Sequence, residues 1–188
     1  MPSALVTGGS RGIGLGIARR LAERGYDLTL TARDQERLTS AAGELRTRGA
    51  PQVHVVAADL AAPETAQLVV EEHRQRFGAP RALVLSAGVG TAGHIDTYPS
   101  TRYDKTFTVD LRAPFLLLQH SLPLLRKAAR RDPRRGARVV ALSSITGVYA
   151  ESGLAAYGAA KAGLISIIET FNAEESVNGV SATALSPG

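Results

Sequence analysis

The 188-residue chain is 44% hydrophobic and 21% charged, a balance that fits one globular domain large enough to bury its own core and excludes a disordered or fibrous chain. It has no cysteine, which excludes disulfides and thiolate chemistry. Its formal charge of +5 has one source, because Arg126 to Arg138 holds seven basic residues and one Asp (+6), leaving −1 for the remainder.

"ALVT" (Ala4–Thr7) reads as a first strand, followed at once by "TGGSRGIG" (Thr7–Gly14) and a helix near Ile13–Arg24. Gly8, Gly12 and Gly14 have the spacing GxxxGxG and open directly into that helix. Glycine permits a tight turn there and a close backbone approach to a pyrophosphate at the positive helix end. An ordinary glycine turn is the alternative. "DLTLTA" (Asp27–Ala32) is a second strand before a helix over Gln35–Arg48, and "VHVVAA" (Val53–Ala58) a third before a helix over Pro63–Phe77. A fourth strand, "ALVLS" (Ala82–Ser86), precedes a long helical stretch, Ser100–Lys127. Pro114 and Pro123 predict that this helix is bent or split.

The basic run that follows contains Pro133 and Gly136 and no aromatic residue. It reads as a solvated connection, and no nucleic-acid partner is expected. "RVVALS" (Arg138–Ser143), a helix over Ala155–Ser176 and "VSATALS" (Val180–Ser186) complete the pattern. Continuous Val/Leu/Ala runs belong to parallel strands covered on both faces, and strict β/α alternation predicts a single α/β domain, residues 1–188, with a doubly wound parallel sheet. Ligands of such sheets bind beyond the carboxyl ends of the strands. His54, His73, His94 and His120 have no metal-ligand spacing, so no metal is expected. No apolar run reaches the ~18 residues of a membrane span, and "MPSALVTGG" lacks the features of a secretory signal, so a cytoplasmic protein without membrane contact is expected.

In the helix "GLAAYGAAKAGLISIIETFNAEES", Tyr157, Lys161, Leu164, Ile168 and Phe171 fall on one stripe. Lys161 thus occupies an apolar position, in a chain with 19 Arg and only three Lys. Either it snorkels out along a helix flank or it is held there by chemistry.

The TGxxxGxG loop, a Ser and the YxxxK pair occur here in the order typical of the short-chain dehydrogenases/reductases, a family that the chain resembles along its whole length, through "SPG" (Ser186–Gly188). The family's catalytic Ser lies 13 residues before the Tyr, which selects Ser144 in "LSSITG". The resemblance implies a Rossmann-type sheet of order 3-2-1-4-5-6 and hydride transfer between a nicotinamide cofactor and a carbonyl or secondary alcohol. Tyr157 would be the general acid or base, with Lys161 lowering its pKa and holding the nicotinamide ribose, while Ser144 orients the substrate oxygen. Implied cofactor contacts are Gly8, Ser10, Arg11, Gly12, Ile13 and Gly14 in the loop, Arg33 after strand two, and Asp59 and Leu60 after strand three. Further contacts are Ser86, Ala87 and Gly88 after strand four, Tyr157 and Lys161 themselves, and Pro187 and Gly188. Asp59 has a competing role as a helix N-cap.

Two positions depart from the family pattern. "LSAG" (Leu85–Gly88) stands where "NNAG" is common. In "VDLRAPF", Asp110 replaces an Asn thought to hold a relay water near the Lys, and it is expected to join the catalytic set. Arg33, in place of an acidic residue after strand two, together with Arg11, suits a ribose 2′-phosphate, so NADP(H) is expected rather than NAD(H). Asp34 is the rival acidic candidate but is expected to cap the helix from Gln35. The substrate is left open among ketones, 3-oxoacyl thioesters and sugars, and a dimer or tetramer is expected. The alternative reading is a catalytically weak NADP-binding sensor or scaffold. Family members usually continue past "SPG" into a substrate lid and a seventh strand. Neither is present in this sequence, so a fragment, or the ordered part of a longer chain, is expected.

Overall fold

Six apolar runs become the strands of one parallel sheet: β1 (Ser3–Thr7), β2 (Asp27–Ala32), β3 (Val53–Ala57), β4 (Ala82–Leu85), β5 (Ala137–Leu142) and β6 (Val180–Leu185). The computed structural model describes all 188 residues. The strand order is β3-β2-β1-β4-β5-β6, as the sequence predicts, so the chain reverses its direction of growth between β1 and β4. The helices are α1 (Gly12–Ala22), α2 (Gln35–Thr47), α3 (Thr65–Phe77), α4 (Ser100–Phe107), α5 (Ala113–Arg131) and α6 (Ala155–Glu175).

Alternation along each strand divides the core between the two faces of the sheet. Ala4, Val6 and Val84 pack with Leu15, Ala18, Leu38 and Leu45 of α1 and α2. Leu5, Leu83 and Leu85 pack on the other face with Val69 of α3, Leu117 and Leu125 of α5, and Leu164, Ile168 and Phe171 of α6. Covered on both sides, the central strands need no polar face, which is why all five residues of β1 are buried.

The long fourth helix is split, and the break has a definite form. Thr108–Arg112 winds as a single π-helical segment between α4 and α5. Pro114 explains it. Proline has no N–H for the carbonyl four residues back, here that of Asp110, and its ring would strike that carbonyl in a regular α-helix. Pro123, in contrast, lies inside an unbroken α5. The third helix also differs from expectation. It starts at Thr65 rather than Pro63, and Asp59 lies outside it in a turn, its carboxylate accepting from the Ala61 N–H at 3.0 Å. Asp59 is therefore not a helix cap.

The basic run is the end of α5 and the turn into β5, with Gly136 at a positive φ of 61°. Arg126 forms a two-pronged pair with the carboxylate of Glu175 on α6, and Arg81 pairs with Asp132 at 2.9 Å. Part of this charge therefore staples α5 to α6 and to the strand β4 approach.

One polar group sits deep in the packing. His73 of α3 is fully buried, with one ring nitrogen 3.1 Å from the Ser3 hydroxyl and the other 2.8 Å from that of Thr29. A neutral imidazole, one nitrogen donating and one accepting, satisfies both. Burial, with a lesser push from His54, lowers its pKa to about 4. Because the folded-state value is depressed, the stability tied to neutral His73 is present above the unfolded pKa of ~6.5 and is lost as pH falls toward 4. That loss is on the order of 3 kcal/mol once both values are passed. His73→Gln, which keeps a donor and an acceptor but cannot ionise, is expected to show a smaller drop in Tm between pH 7 and pH 4.5 than the parent protein, measured by thermal denaturation at each pH.

Candidate active site

The β1–α1 turn is fixed by what its glycines lack. Gly8 has φ 63°, and a Cβ there would lie 2.9 Å from the Cα of Ala87. A Cβ on Gly14 would lie 2.4 Å from the Gly8 carbonyl oxygen. The turn can therefore press against the end of β4 only with glycine at both positions. Thr7 completes the junction. Its hydroxyl donates to the Val84 carbonyl at 3.3 Å and accepts from the N–H groups of Ser86 and Ala87 at 3.0 and 3.1 Å. Above Gly12, also at positive φ, the space is open. No side chain caps the start of α1, and its first turn holds no acidic residue, so these N–H groups could hold an anion.

From this turn a cleft of about 920 Å³ crosses the carboxyl ends of the strands. Of the residues singled out in the sequence, Gly8, Ser10, Arg11, Gly12, Ile13, Arg33, Asp59, Leu60, Ser86, Ala87 and Gly88 line it, as do Ser144, Tyr157, Lys161, Pro187 and Gly188. Gly14 and Asp110 stand in the layer behind its wall. Arg37, Lys105 and Val89 also line it and were not foreseen. Arg37 could have been found, since it lies three residues after the N-cap Asp34 and so in the first turn of α2. Asp34 itself is engaged there, accepting from the Arg37 N–H at 3.0 Å and pairing with its guanidinium at 3.1 Å. Arg11 and Arg33 are exposed and form no ion pair.

At the other end of the cleft, Ser144 caps the short turn Ile145–Gly147, accepting from the Thr146 N–H at 3.3 Å and from its hydroxyl at 3.0 Å. Tyr157 is half-buried in the first turn of α6. Lys161 does not snorkel: its side chain is 5% exposed. The ammonium donates to the Leu142 carbonyl at 3.0 Å, and the Lys161 carbonyl accepts from the Ser143 hydroxyl at 2.9 Å. The nitrogen lies 3.8 Å from Asp110 Oδ2 and 5.5 Å from the centre of the Tyr157 ring. Asp110 Oδ1 accepts from the Val89 N–H at 2.8 Å, whereas Oδ2 is buried without a hydrogen-bond partner.

These contacts correct one expectation. Lys161 was expected to lower the pKa of Tyr157, but that pKa is raised, first by burial and then by the Asp110 charge, with the Ser144 hydroxyl opposing. The ammonium is answered by a carboxylate, so little net positive charge reaches the phenol. Burial likewise pushes Lys161 down and Asp110 up, each opposed by the other's charge.

A family model described as short chain dehydrogenase matches residues 2–188. An uncharacterized oxidoreductase of Staphylococcus epidermidis is 30% identical over 185 residues, covering 98% of this chain and 76% of that protein. The 3-oxoacyl-[acyl-carrier-protein] reductase FabG of Staphylococcus aureus is 29% identical over 187 residues, covering 99% of this chain and 73% of that protein. Among solved structures, an alcohol dehydrogenase from the archaeon Thermococcus sibiricus, complexed with 5-hydroxy-NADP, superposes with a TM-score of 0.90 at 28% identity, covering all of this chain and 76% of its own. The Pseudomonas aeruginosa RhlG/NADP complex gives 0.90 at 31%, covering all of this chain and 72% of its own. A 3-oxoacyl-[acyl-carrier protein] reductase from Brucella melitensis in complex with NAD gives 0.90 at 32%, covering all of this chain and 73% of its own.

The contact between Gly14 and Gly8 is directly testable. Gly14→Ala forces a methyl group to within 2.4 Å of a backbone oxygen, an overpacking that costs about 1–3 kcal/mol. The variant is expected to melt several degrees below the parent protein, read by calorimetry.

Proposed function

The chain belongs to the short-chain dehydrogenase/reductase family, and from this we propose that it transfers hydride between NADP(H) and a small carbonyl or secondary-alcohol substrate. The observation that carries the proposal is one cleft with an anion-binding turn and two unpaired guanidiniums at one end and Ser144, Tyr157 and Lys161 at the other. The residues fit a dinucleotide. The open space above Gly12 and the uncapped start of α1 suit a pyrophosphate. Arg11 and Arg33 suit a 2′-phosphate, with Asp34 already committed to Arg37. Asp59 and Leu60 would line the adenine end, and Ser10, Ile13, Ser86, Ala87, Gly88, Pro187 and Gly188 would complete the contact surface.

When bound, the nicotinamide supplies or accepts the hydride. The Ser144 hydroxyl donates a hydrogen bond to the substrate oxygen and fixes its position. As negative charge grows on that oxygen during reduction, the Tyr157 hydroxyl gives it a proton. Lys161, anchored on the Leu142 carbonyl, would hold the ribose hydroxyls. Asp110 acts behind it.

Arg112 and Asp104 flank an apolar groove formed with Phe107, Leu111, Phe115 and Ile167, which suits a second copy of the chain in a homo-oligomer. No helix is long and apolar enough to cross a membrane. The neutral Lys161–Asp110 couple favours a second reading, a weakly catalytic NADP-binding sensor. NADPH binding without oxidation of NADPH by any ketone, aldehyde or 3-oxoacyl thioester would select it.

Titration calorimetry is expected to show tighter binding of NADPH than of NADH, with the preference gone in the Arg11→Ala/Arg33→Ala double variant. Equal affinities in the parent protein would refute the 2′-phosphate assignment. Tyr157→Phe is expected to cut turnover by about 100-fold or more while NADPH affinity stays within a few-fold. A variant that keeps most of its kcat would remove Tyr157 from the catalytic role.

A further inference from the structure

We infer that Asp110 sets the working direction of the site: paired with Lys161 behind the cleft wall, it keeps Tyr157 in the proton-donor form, so the protein reduces carbonyls at neutral pH and oxidises alcohols only at alkaline pH. The inference rests on the assignment of Tyr157 and Lys161 made above.

The argument is one of net charge. Asp110 is fully buried and the Lys161 side chain nearly so, with 3.8 Å between Nζ and Oδ2. Whichever of the two holds the shared proton, their combined charge is zero. An Asn at position 110 would leave the ammonium as the only buried charge beside the phenol, and a lone cation favours phenolate. Here that influence is cancelled at its source. Other fixed contacts keep the couple together. Val89 N–H holds Oδ1, the Leu142 carbonyl holds Nζ, and both side chains pack beside Gly88, where a Cβ would lie 3.3 Å from Oδ1 and from Nζ.

No other charge takes over the role. The charged side chains on the surrounding elements, namely His94 and Asp96 in the loop after β4, Arg102, Asp104 and Lys105 on α4, Arg112 beyond Asp110 and Glu151 before α6, are all exposed and therefore screened by water and salt. Arg11, Arg33, Asp34, Arg37 and Asp59 belong to the far end of the cleft. The pKa of Tyr157 is raised first by its burial and then by the Asp110 charge. The Ser144 hydroxyl, which is uncharged, opposes the shift at the phenol.

The two directions make opposite demands on Tyr157. In reduction the carbonyl carbon receives hydride from NADPH and the oxygen receives the Tyr157 proton. The products are the alcohol, NADP⁺ and tyrosinate, and the tyrosinate recovers its proton from water. Oxidation needs tyrosinate at the outset to accept the hydroxyl proton while hydride leaves for NADP⁺. A phenol held above its ordinary ~10 is almost wholly protonated at neutral pH, so it is ready for the first task and unready for the second.

The test is a titration of tyrosinate absorbance against pH. The chain has five tyrosines, so the curve of Tyr157→Phe is subtracted from that of the parent protein to isolate Tyr157. The expected midpoint is at or above ~10, and in Asp110→Asn, measured against Asp110→Asn/Tyr157→Phe, it falls by about one pH unit or more. The alkaline limb of alcohol oxidation should move down by the same amount. A Tyr157 midpoint near neutrality in the parent protein would overturn the inference, and so would a folded Asp110→Asn with an unmoved midpoint. Should Asp110→Asn fail to fold, the parent midpoint still decides. Because the titration needs no substrate, a protein that turns nothing over would refute the proposed activity while leaving the electrostatic claim separately tested.

Discussion

Thr7 holds the two halves of the sheet together at the point where their order reverses. Its single hydroxyl serves three backbone groups of β4 and the residues just after it. This is possible because β1 and β4 are adjacent and in register, Thr7 opposite Leu85. With that knot tied, the next residue has to turn sharply over Ala87, and glycine is the residue that can do so. The start of α1, the floor of the cleft and the direction in which the helix N–H groups point all follow from this contact.

The opposite end of the cleft depends on a defect in a helix. The π-helical segment at Thr108–Arg112 carries Asp110 inward, where its carboxylate takes the Val89 N–H from the loop after β4 and faces Lys161 on α6. Three segments distant in sequence meet at one carboxylate. Its unsatisfied oxygen is an exception to the rule that buried polar atoms find partners.

The fold was legible in the sequence because a parallel sheet covered on both faces writes its strands as plain apolar runs. "ALVT", "ALVL" and "RVVAL" required no knowledge of partners. The glycine loop and the Tyr-Lys pair were legible for a similar reason, since their function depends on spacing within a single turn. Three features were not. The π-helical form of the break before Pro114 could not be distinguished from a simple bend, because proline forbids a hydrogen bond without dictating the substitute. The place of Asp59 turned on where α3 begins, and end positions are set by tertiary contact rather than by the local sequence. The pKa of Tyr157 depends on burial and on a carboxylate 47 residues away. Chain spacing reported the ammonium nearby but neither the burial nor the anion that faces it.

The π-helical segment also has a consequence for how the chain tolerates change in length. Such a turn contains one residue more than an α-helical turn spanning the same distance, and each residue advances the helix by 100°. It therefore absorbs a residue without shifting the helix phase. Upstream, α4 turns Thr106 inward, and downstream α5 turns Leu117, Leu118 and Leu125 onto the sheet. The two inward stripes stay aligned because the wide turn takes up the extra residue without the 100° that it would add to an α-helix. Loss of one residue between 108 and 112 would restore a regular α-helix with the leucines of α5 still on the sheet, at the expense of the turn that carries Asp110 inward. The segment that delivers the carboxylate is thus a local excess that the 19 residues of α5 do not feel.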